Sequence, residues 1–462
     1  MGGKNIKNKA MTDMTQGSPF RLLLTFAIPI FIGNVCQQIY NLVDTAIVGK
    51  FVGANELAAV GVTGNISFFF NSLIIGLTGG IAIVMSQFFG AGDLKTVKRS
   101  FGTSIYAIVA AIVLVTGFGL LLVNPLLKGL DTPDNIIQDA RDYLNIIVIG
   151  MFATVTYNWM SSVLRALGDS VTPLIFLVLS SVVNIGLDLL FIIRFHWGVS
   201  GAAWATVIAQ ALSALLCLIY GIWKMPVLRV HKDEIKLNIH LLKTMVYVGL
   251  PAGIQMSLIS VSIMLMQKAI NAYGSTVVAG FIGASKIEQI AMQFGNSIGM
   301  ANGTYTGQNV GAGNYERVEK GVWISTVTII GGCLIISPLI FFFGDSFMKL
   351  FVDMNQDMAA QVVQYGTEYL KIMTFALAAV GILQVFQNML RSAGDVAITM
   401  LMGGSEVLTR VIVAFAFSAL FGRTGVWFAT PITWITAMSV GWFRYFSGKW
   451  KVKSFVGKEK KV

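Results

Sequence analysis

Charge is scarce in this chain. Only 12% of its residues are Asp, Glu, Lys or Arg, against about 25% in soluble domains, which excludes an ordinary soluble enzyme. Cysteine is scarce too. Cys36, Cys217 and Cys333 all lie inside apolar runs, so they read as small buried hydrophobes and not as a disulfide framework. The three histidines, His196, His231 and His240, stand at segment ends or in a basic loop, and no His, Cys or carboxylate spacing suggests a metal centre. Short segments of alternating polarity are missing, which excludes a transmembrane β-barrel. The stretch from Met1 to Pro19 is polar and basic, without a short apolar core ahead of a small-residue cleavage site, so no cleaved leader is expected.

Hydrophobic residues make up 55% of the chain, and the mean hydropathy is +0.73. Apolar runs long enough to span a bilayer recur along the whole length, so the expected class is an all-α polytopic membrane protein. Twelve spans are expected, at 20–49, 58–88, 101–127, 142–164, 171–194, 199–222, 245–268, 276–307, 321–344, 365–390, 396–421 and 425–447. The net charge of +11 does not point to nucleic acid, because most Lys and Arg lie between and beyond the apolar runs. The densest basic stretches are Lys95/Lys98/Arg99, Lys224 to Lys243, and Lys449 to Lys461. By the positive-inside bias these are cytoplasmic, which places both termini inside a plasma membrane and the basic residues against anionic lipid headgroups.

The chain repeats itself. Ser86-Gln87-Phe88-Phe89-Gly90-Ala91-Gly92-Asp93 recurs as Gly307-Gln308-Asn309-Val310-Gly311-Ala312-Gly313-Asn314, and Leu164-Arg165-Ala166-Leu167-Gly168-Asp169 as Leu390-Arg391-Ser392-Ala393-Gly394-Asp395. Gly198, Gly201, Ala205 and Thr206 answer to Gly422, Gly425, Ala429 and Thr430, and Pro29 to Pro251. Six spans per repeat bring both halves in from the same side, a parallel repeat about an axis along the membrane normal. The expected organisation is a tail (1–19), a first six-helix lobe (20–222), a cytoplasmic linker (223–244), a second six-helix lobe (245–447) and a basic tail (448–462). The matched Gly-rich loops read as tight turns, not as substrate contacts.

Polar residues inside the spans are few and therefore informative. Gln37, Asn41 and Asp44 follow i, i+4, i+7 spacing in the first span, with Thr45 beside them. Asn184 and Asp188 are i, i+4 in the fifth span, and Thr206 and Gln210 are i, i+4 in the sixth. With spans one and five running outward and span six inward, Asp44, Asp188 and Thr206 fall roughly 8–11 Å below the outer surface. A carboxylate at membrane depth costs about 2.5–3.5 kcal/mol on insertion scales and usually faces a protein interior or a water-filled path. Two carboxylates, an amide and a hydroxyl, converging without a resident cation, can take up a proton or hold a hard cation such as sodium. The alternative is a satisfied polar knot that only fixes helix packing. Pro29, inside the first span, is either a hinge or a static bend. The second half departs from this pattern, since Leu265/Met266, Arg410 and Ala414 stand where Asp44, Asn184 and Asp188 would. It carries Lys286 and Glu288 in span eight, with Glu288 a candidate for a substrate path. Glu406 and Arg410, at i, i+4, read as a structural ion pair.

Asn41-Leu42-Val43-Asp44-Thr45-Ala46-Ile47-Val48-Gly49, followed by Leu57-Ala58-Ala59-Val60-Gly61, resembles the first-helix signature of the multidrug and toxic compound extrusion (MATE) family. The Gly-Ala-Gly loops and the Leu-Arg-Ala-Leu-Gly-Asp stretch with its copy resemble that family too, over nearly the whole chain. The resemblance implies a V-shaped pair of six-helix lobes and a monomer. It implies alternating-access export of amphiphilic, often cationic, organic compounds, driven by proton or sodium antiport with no other cofactor. The chain is more similar to the DinF-type branch. There the cation site would map onto Asp44, Asn184, Asp188 and Thr206, and Pro29 would match the proline at which the first helix bends. The other branch relies on acidic residues in helices seven and ten. Neither span here carries a central one, Glu368 lying at the end of span ten. Gln37, Asn41, Gln210 and Glu288 are left as residues of a substrate path. Three alternatives stay open: a flippase for lipid-linked sugars on a related two-lobe fold, an intramembrane enzyme, and a non-transporting scaffold. The flippase would want several cations in its cavity, the enzyme a nucleophile–base pair or metal ligands at depth, and neither is apparent.

Overall fold

A computed structural model describes residues 11–129, 132–231, 234–352, 354 and 358–456. Among the described residues there is no β-strand. The chain folds into α1 (Pro19–Phe51), α2 (Ala54–Gly90), α3 (Leu94–Gly129), α4 (Asp134–Ile149), α5 (Met151–Ala166), α6 (Val171–Asp188) and α7 (Gly198–Lys224). Then follow α8 (Ile239–Asn271), α9 (Ser275–Gly311), α10 (Tyr315–Met348), α11 (Ala359–Thr374), α12 (Leu377–Ser392), α13 (Val396–Trp427) and α14 (Ala429–Phe446).

Eight of these helices are long and apolar enough to cross a membrane: α1, α2, α3, α6 with its extension, α7, α8, α10 and α13. Two expected spans are broken. α4 and α5 meet at 46°, and α11 and α12 at 53°, and each pair passes the same test taken together. Adding α9 and α14, which are less apolar, restores the twelve-span order expected from the sequence. The first break has a local cause. A Cβ on Gly150 would stand 2.2 Å from the Val207 side chain of α7, so only glycine lets the bend close on that helix. In α13, Gly422 takes φ +62°, which interrupts the helix where the sequence separates spans eleven and twelve.

The repeated loops are turns built on glycine. Gly92 and Gly313 have φ +73° and +76°, and Gly168 and Gly394 have +91° and +95°, in the left-handed region that side chains avoid. In the Gly-Asp loops the two copies use the acid differently. Asp169 accepts the backbone N–H groups of Val171 and Thr172 at 3.1 and 3.0 Å, starting α6. Asp395 pairs with Arg444 at 2.5 Å.

The helices form two compact units, 1–14 with 32–254, and 15–31 with 255–462. α1 and α8 each run from one unit into the other. α1 changes unit two residues after Pro29, and α8 three residues after Pro251. α1 is helical throughout, Pro29 included. Inside the first unit, α2 and the start of α8 meet along glycines. A Cβ on Gly76 would lie 2.3 Å from the backbone N of Gly253, and one on Gly80 2.6 Å from that of Gly249. This is close small-residue packing, the means by which helices associate where no hydrophobic drive exists between them.

Candidate functional site

The first unit gathers the expected acidic residues. Asp44 stands seven residues before the end of α1, and Asp188 is the last residue of α6. Their carboxyl groups lie within hydrogen-bonding reach of each other. As carboxylates, neither has a proton to donate. Oδ1 of Asp44 and both oxygens of Asp188 are buried without a donor. Asn184, one turn before Asp188, is buried with both amide atoms unpartnered, and Oε1 of Gln210 on α7 is likewise unpartnered. An exchangeable guest among these side chains would satisfy such atoms, because buried polar groups are ordinarily hydrogen-bonded.

The backbone contributes to this geometry. Immediately after Asp188 the chain forms a π-helical turn, Leu189–Arg194. Such insertions free backbone groups and recur at functional sites. Next to the acids along the chain, Ile47 and Val48 of α1 pack with Ile192 of this turn and Ala202 of α7, with Val43, Val52, Val60, Tyr143 and Ile185 around them. The three elements that carry Asp44, Asp188 and Thr206 are therefore joined by one apolar cluster.

Thr206 reaches the site through a residue the sequence reading passed over. The Tyr40 hydroxyl lies 3.5 Å from Thr206 Oγ1, and Tyr40 is one turn before Asp44 on the same helix. Tyr143 of α4 lies within electrostatic range of Asp44, Tyr40 and Asp188. The polar stripe of α1 is divided: Gln37 and Asp44 are half-buried, whereas Asn41 and Thr45 are exposed, Thr45 donating to the Asn41 carbonyl at 2.8 Å. The i−4 spacing of Tyr40 to Asp44 was the available signal, masked because an aromatic inside an apolar run reads as packing.

The second unit holds a different polar cluster. Glu288 on α9 accepts the Tyr369 hydroxyl of α11 at 2.6 Å. Tyr369 is packed edge-on by Phe281 and Trp427, which stack on each other. On α13, Arg410 donates to Glu406 at 3.1 Å and to Ser262 of α8 at 2.6 Å, and the Glu406–Arg410 pair is almost wholly buried. The ion pair expected from i, i+4 spacing is present. Glu368 is taken up by Arg423 at 2.8 Å.

A sequence profile described as MatE matches residues 29–190 and 251–416, one copy in each repeat. A probable multidrug resistance protein of Bacillus subtilis, YpnP, is 31% identical over 95% of this chain and 97% of its own length. The multidrug export protein MepA of Staphylococcus aureus is 24% identical, over 91% of this chain and 92% of its own. Among solved structures, a MOP superfamily transporter from Pyrococcus furiosus superposes with a TM-score of 0.90 at 24% identity, over 97% of this chain and 100% of its own. A MATE transporter of Vibrio cholerae, VcmN, gives 0.87 at 22% identity, over 93% and 97%. Those structures share the two-lobe, twelve-helix fold. With both repeats matched and a relative above 30% identity along nearly its whole length, the chain belongs to the MatE family of multidrug efflux transporters.

Proposed function

We propose that this transporter is a cation-coupled antiporter in which the Asp44–Asp188 pair, with Asn184 and Thr206, takes up the coupling ion. The observation that carries this reading is the juxtaposition of two carboxyl groups whose buried oxygens lack donors. Two adjacent buried negative charges repel, and a proton shared between them, or a hard cation accepting oxygens from both, removes that repulsion. The side-chain oxygens of Asn184 and Thr206 add neutral ligands of the type that sodium accepts. The ion biases the transporter because it binds one conformation of this cluster better than another, and only by that difference in affinity. α1 and the π-helical turn after Asp188 are the elements such a change would move, with Pro29 lying at the boundary between the two parts of α1.

The cargo is read as amphiphilic organic cations, following the relatives named for multidrug export. Gln37, Asn41 and Gln210 supply polar side chains along that path. The protein works as a monomer in the plasma membrane, with both termini cytoplasmic.

The test is uptake of a fluorescent organic cation into proteoliposomes under separately imposed proton and sodium gradients. Wild type should transport under one of them, and Asp44→Asn and Asp188→Asn should each abolish coupling with the fold intact. Transport unchanged in both variants would reduce the pair to architecture. Transport under neither gradient would favour the lipid-linked sugar flippase.

A further inference from the structure

The two polar clusters overlap in the two repeats, although apolar Met266 and Ala414 stand at the Asp44 and Asp188 positions and no first-lobe site residue answers to Glu288. Following the repeat, Tyr40 and Asp44 correspond to Ser262 and Met266, Tyr143 to Tyr369, Asn184 to Arg410, and Thr206 to Thr430. The contacts are related but shifted by one turn. Tyr40 of α1 reaches Thr206, whereas in the second repeat it is Met266 of α8, the counterpart of Asp44, that receives the Thr430 hydroxyl at 3.7 Å. Asn184 stands one turn before the acid of α6, and at its equivalent Arg410 reaches back to Ser262, the counterpart of Tyr40. Ser180 of α6 bonds Ser213, and the position matching Ser180 is Glu406.

The scaffold is therefore shared and the charges are rearranged. In the first unit the acids are Asp44 and Asp188, and among the described residues no cationic side chain acts on either. In the second the titratable groups are Glu288 on α9, Tyr369 on α11, and Glu406 and Arg410 on α13, with Ser262 and Thr430 as neutral ligands from α8 and α14. Arg410 holds Glu406 directly and lies within electrostatic range of Glu288. Its own position is enclosed, with about 4% of the side chain exposed.

We propose that Arg410 is a built-in counter-cation: its guanidinium fills, in the second lobe, the place that an exchangeable cation takes in the first, so this lobe carries a latent cation site closed by its own side chain. The inference extends the reading of Asp44 and Asp188 as a coupling site, but its central prediction does not require it. With Arg410 neutralised, Glu288, Glu406, Ser262 and Thr430 form an all-oxygen acidic pocket with no resident cation, chemically the counterpart of the first-lobe site. It would take up a proton or a sodium ion.

The experiment uses the full chain purified in detergent, with protons bound per molecule followed by titration and sodium-dependent thermal stabilisation followed against choline. Arg410→Gln should show an ion-dependent transition that persists in Asp44→Asn/Asp188→Asn. The same acid-neutralised protein with Arg410 intact, or carrying Arg410→Lys, should lack it. The expected gain is one bound proton, or one saturable sodium-dependent shift in melting temperature. If Arg410→Gln does not fold, Glu406→Gln/Arg410→Gln removes the charge repulsion and leaves Glu288, which should still supply one new proton-binding step. A folded protein of either kind without any new transition overturns the proposal, as does an Arg410→Lys protein that gains the same transition. Should Asp44→Asn leave the wild-type ion response untouched while Arg410→Gln still adds one, the first-lobe reading fails and the second-lobe inference stands.

Discussion

The Tyr369 hydroxyl donates to Glu288 Oε2 across 2.6 Å, tying α11 to α9 inside the second lobe. Tyr369→Phe keeps the ring against Phe281 and Trp427 but leaves a buried carboxyl group without its donor. The expected cost is about 1–3 kcal/mol, read as a lower unfolding temperature of the purified protein. An unchanged unfolding temperature would mean that water or another donor replaces the hydroxyl.

In the first lobe the opposite sign is expected. Asp188→Asn replaces one of two repelling carboxylates by an amide that can donate to Asp44. The variant should lose coupling yet be more stable at pH 8 by about 1.5–3 kcal/mol, the range for a hydrogen bond to a charged group, read as a higher unfolding temperature. A destabilised Asp188→Asn protein would indicate that the wild-type pair is already neutralised by a firmly held partner.

Adjacent glycines of α2 should behave differently. A Cβ on Gly80 would meet the Met245 carbonyl at 2.5 Å and the Gly249 backbone, whereas one on Gly79 meets nothing within 4 Å. Gly80→Ala should therefore force α2 and α8 apart and cost about 1–3 kcal/mol. Gly79→Ala should gain roughly 0.5–1 kcal/mol from helix propensity. Thermal unfolding of the two variants side by side decides it, and equal behaviour would place the α2–α8 contact further apart than described.

The linker before α8 is fastened by Glu234, which accepts the backbone N–H of His231 at 2.9 Å and pairs with Lys98 at 3.4 Å. The His231 N–H, and after it Lys98, hold the Glu234 carboxyl below its usual value of 4.5. A lowered acid stabilises the fold above its unfolded value and loses that contribution as pH falls through the folded one. Proteolysis of this linker should thus accelerate below about pH 4.5 in wild type, while Glu234→Gln is cleaved faster at neutral pH and shows less pH dependence. Being partly exposed, the pair is worth only about 0.2–1 kcal/mol.

How much could be read beforehand differs by feature. Asp44 and Asp188 were legible because a carboxylate in a long apolar run is expensive and hence conspicuous, and Asn184 because it stands i, i+4 from Asp188. The Glu406–Arg410 pair was legible because i, i+4 spacing is a local property of a helix. Tyr40 and Tyr143 were not, because an aromatic residue in a membrane span has the same signature whether it packs or lines a site. The correspondence of Tyr143 with Tyr369 follows the repeat offset, but it gains meaning only once each tyrosine is found beside an acid of its own cluster.

The sequence by itself determined the membrane class, the twelve spans, the parallel repeat and the loss of the acids from its second copy, since each follows from hydropathy or from matched order along the chain. Only the tertiary structure decided that Asp44 meets Asp188, that a π-helical turn follows Asp188, and that Arg410 reaches Ser262 on α8 as well as Glu406. It alone showed that α1 and α8 change unit just beyond Pro29 and Pro251. Those facts depend on which helix faces turn toward one another. That is set by close packing at sites such as Gly80 against Gly249 and Gly150 against Val207, where contact lies between residues far apart in the chain.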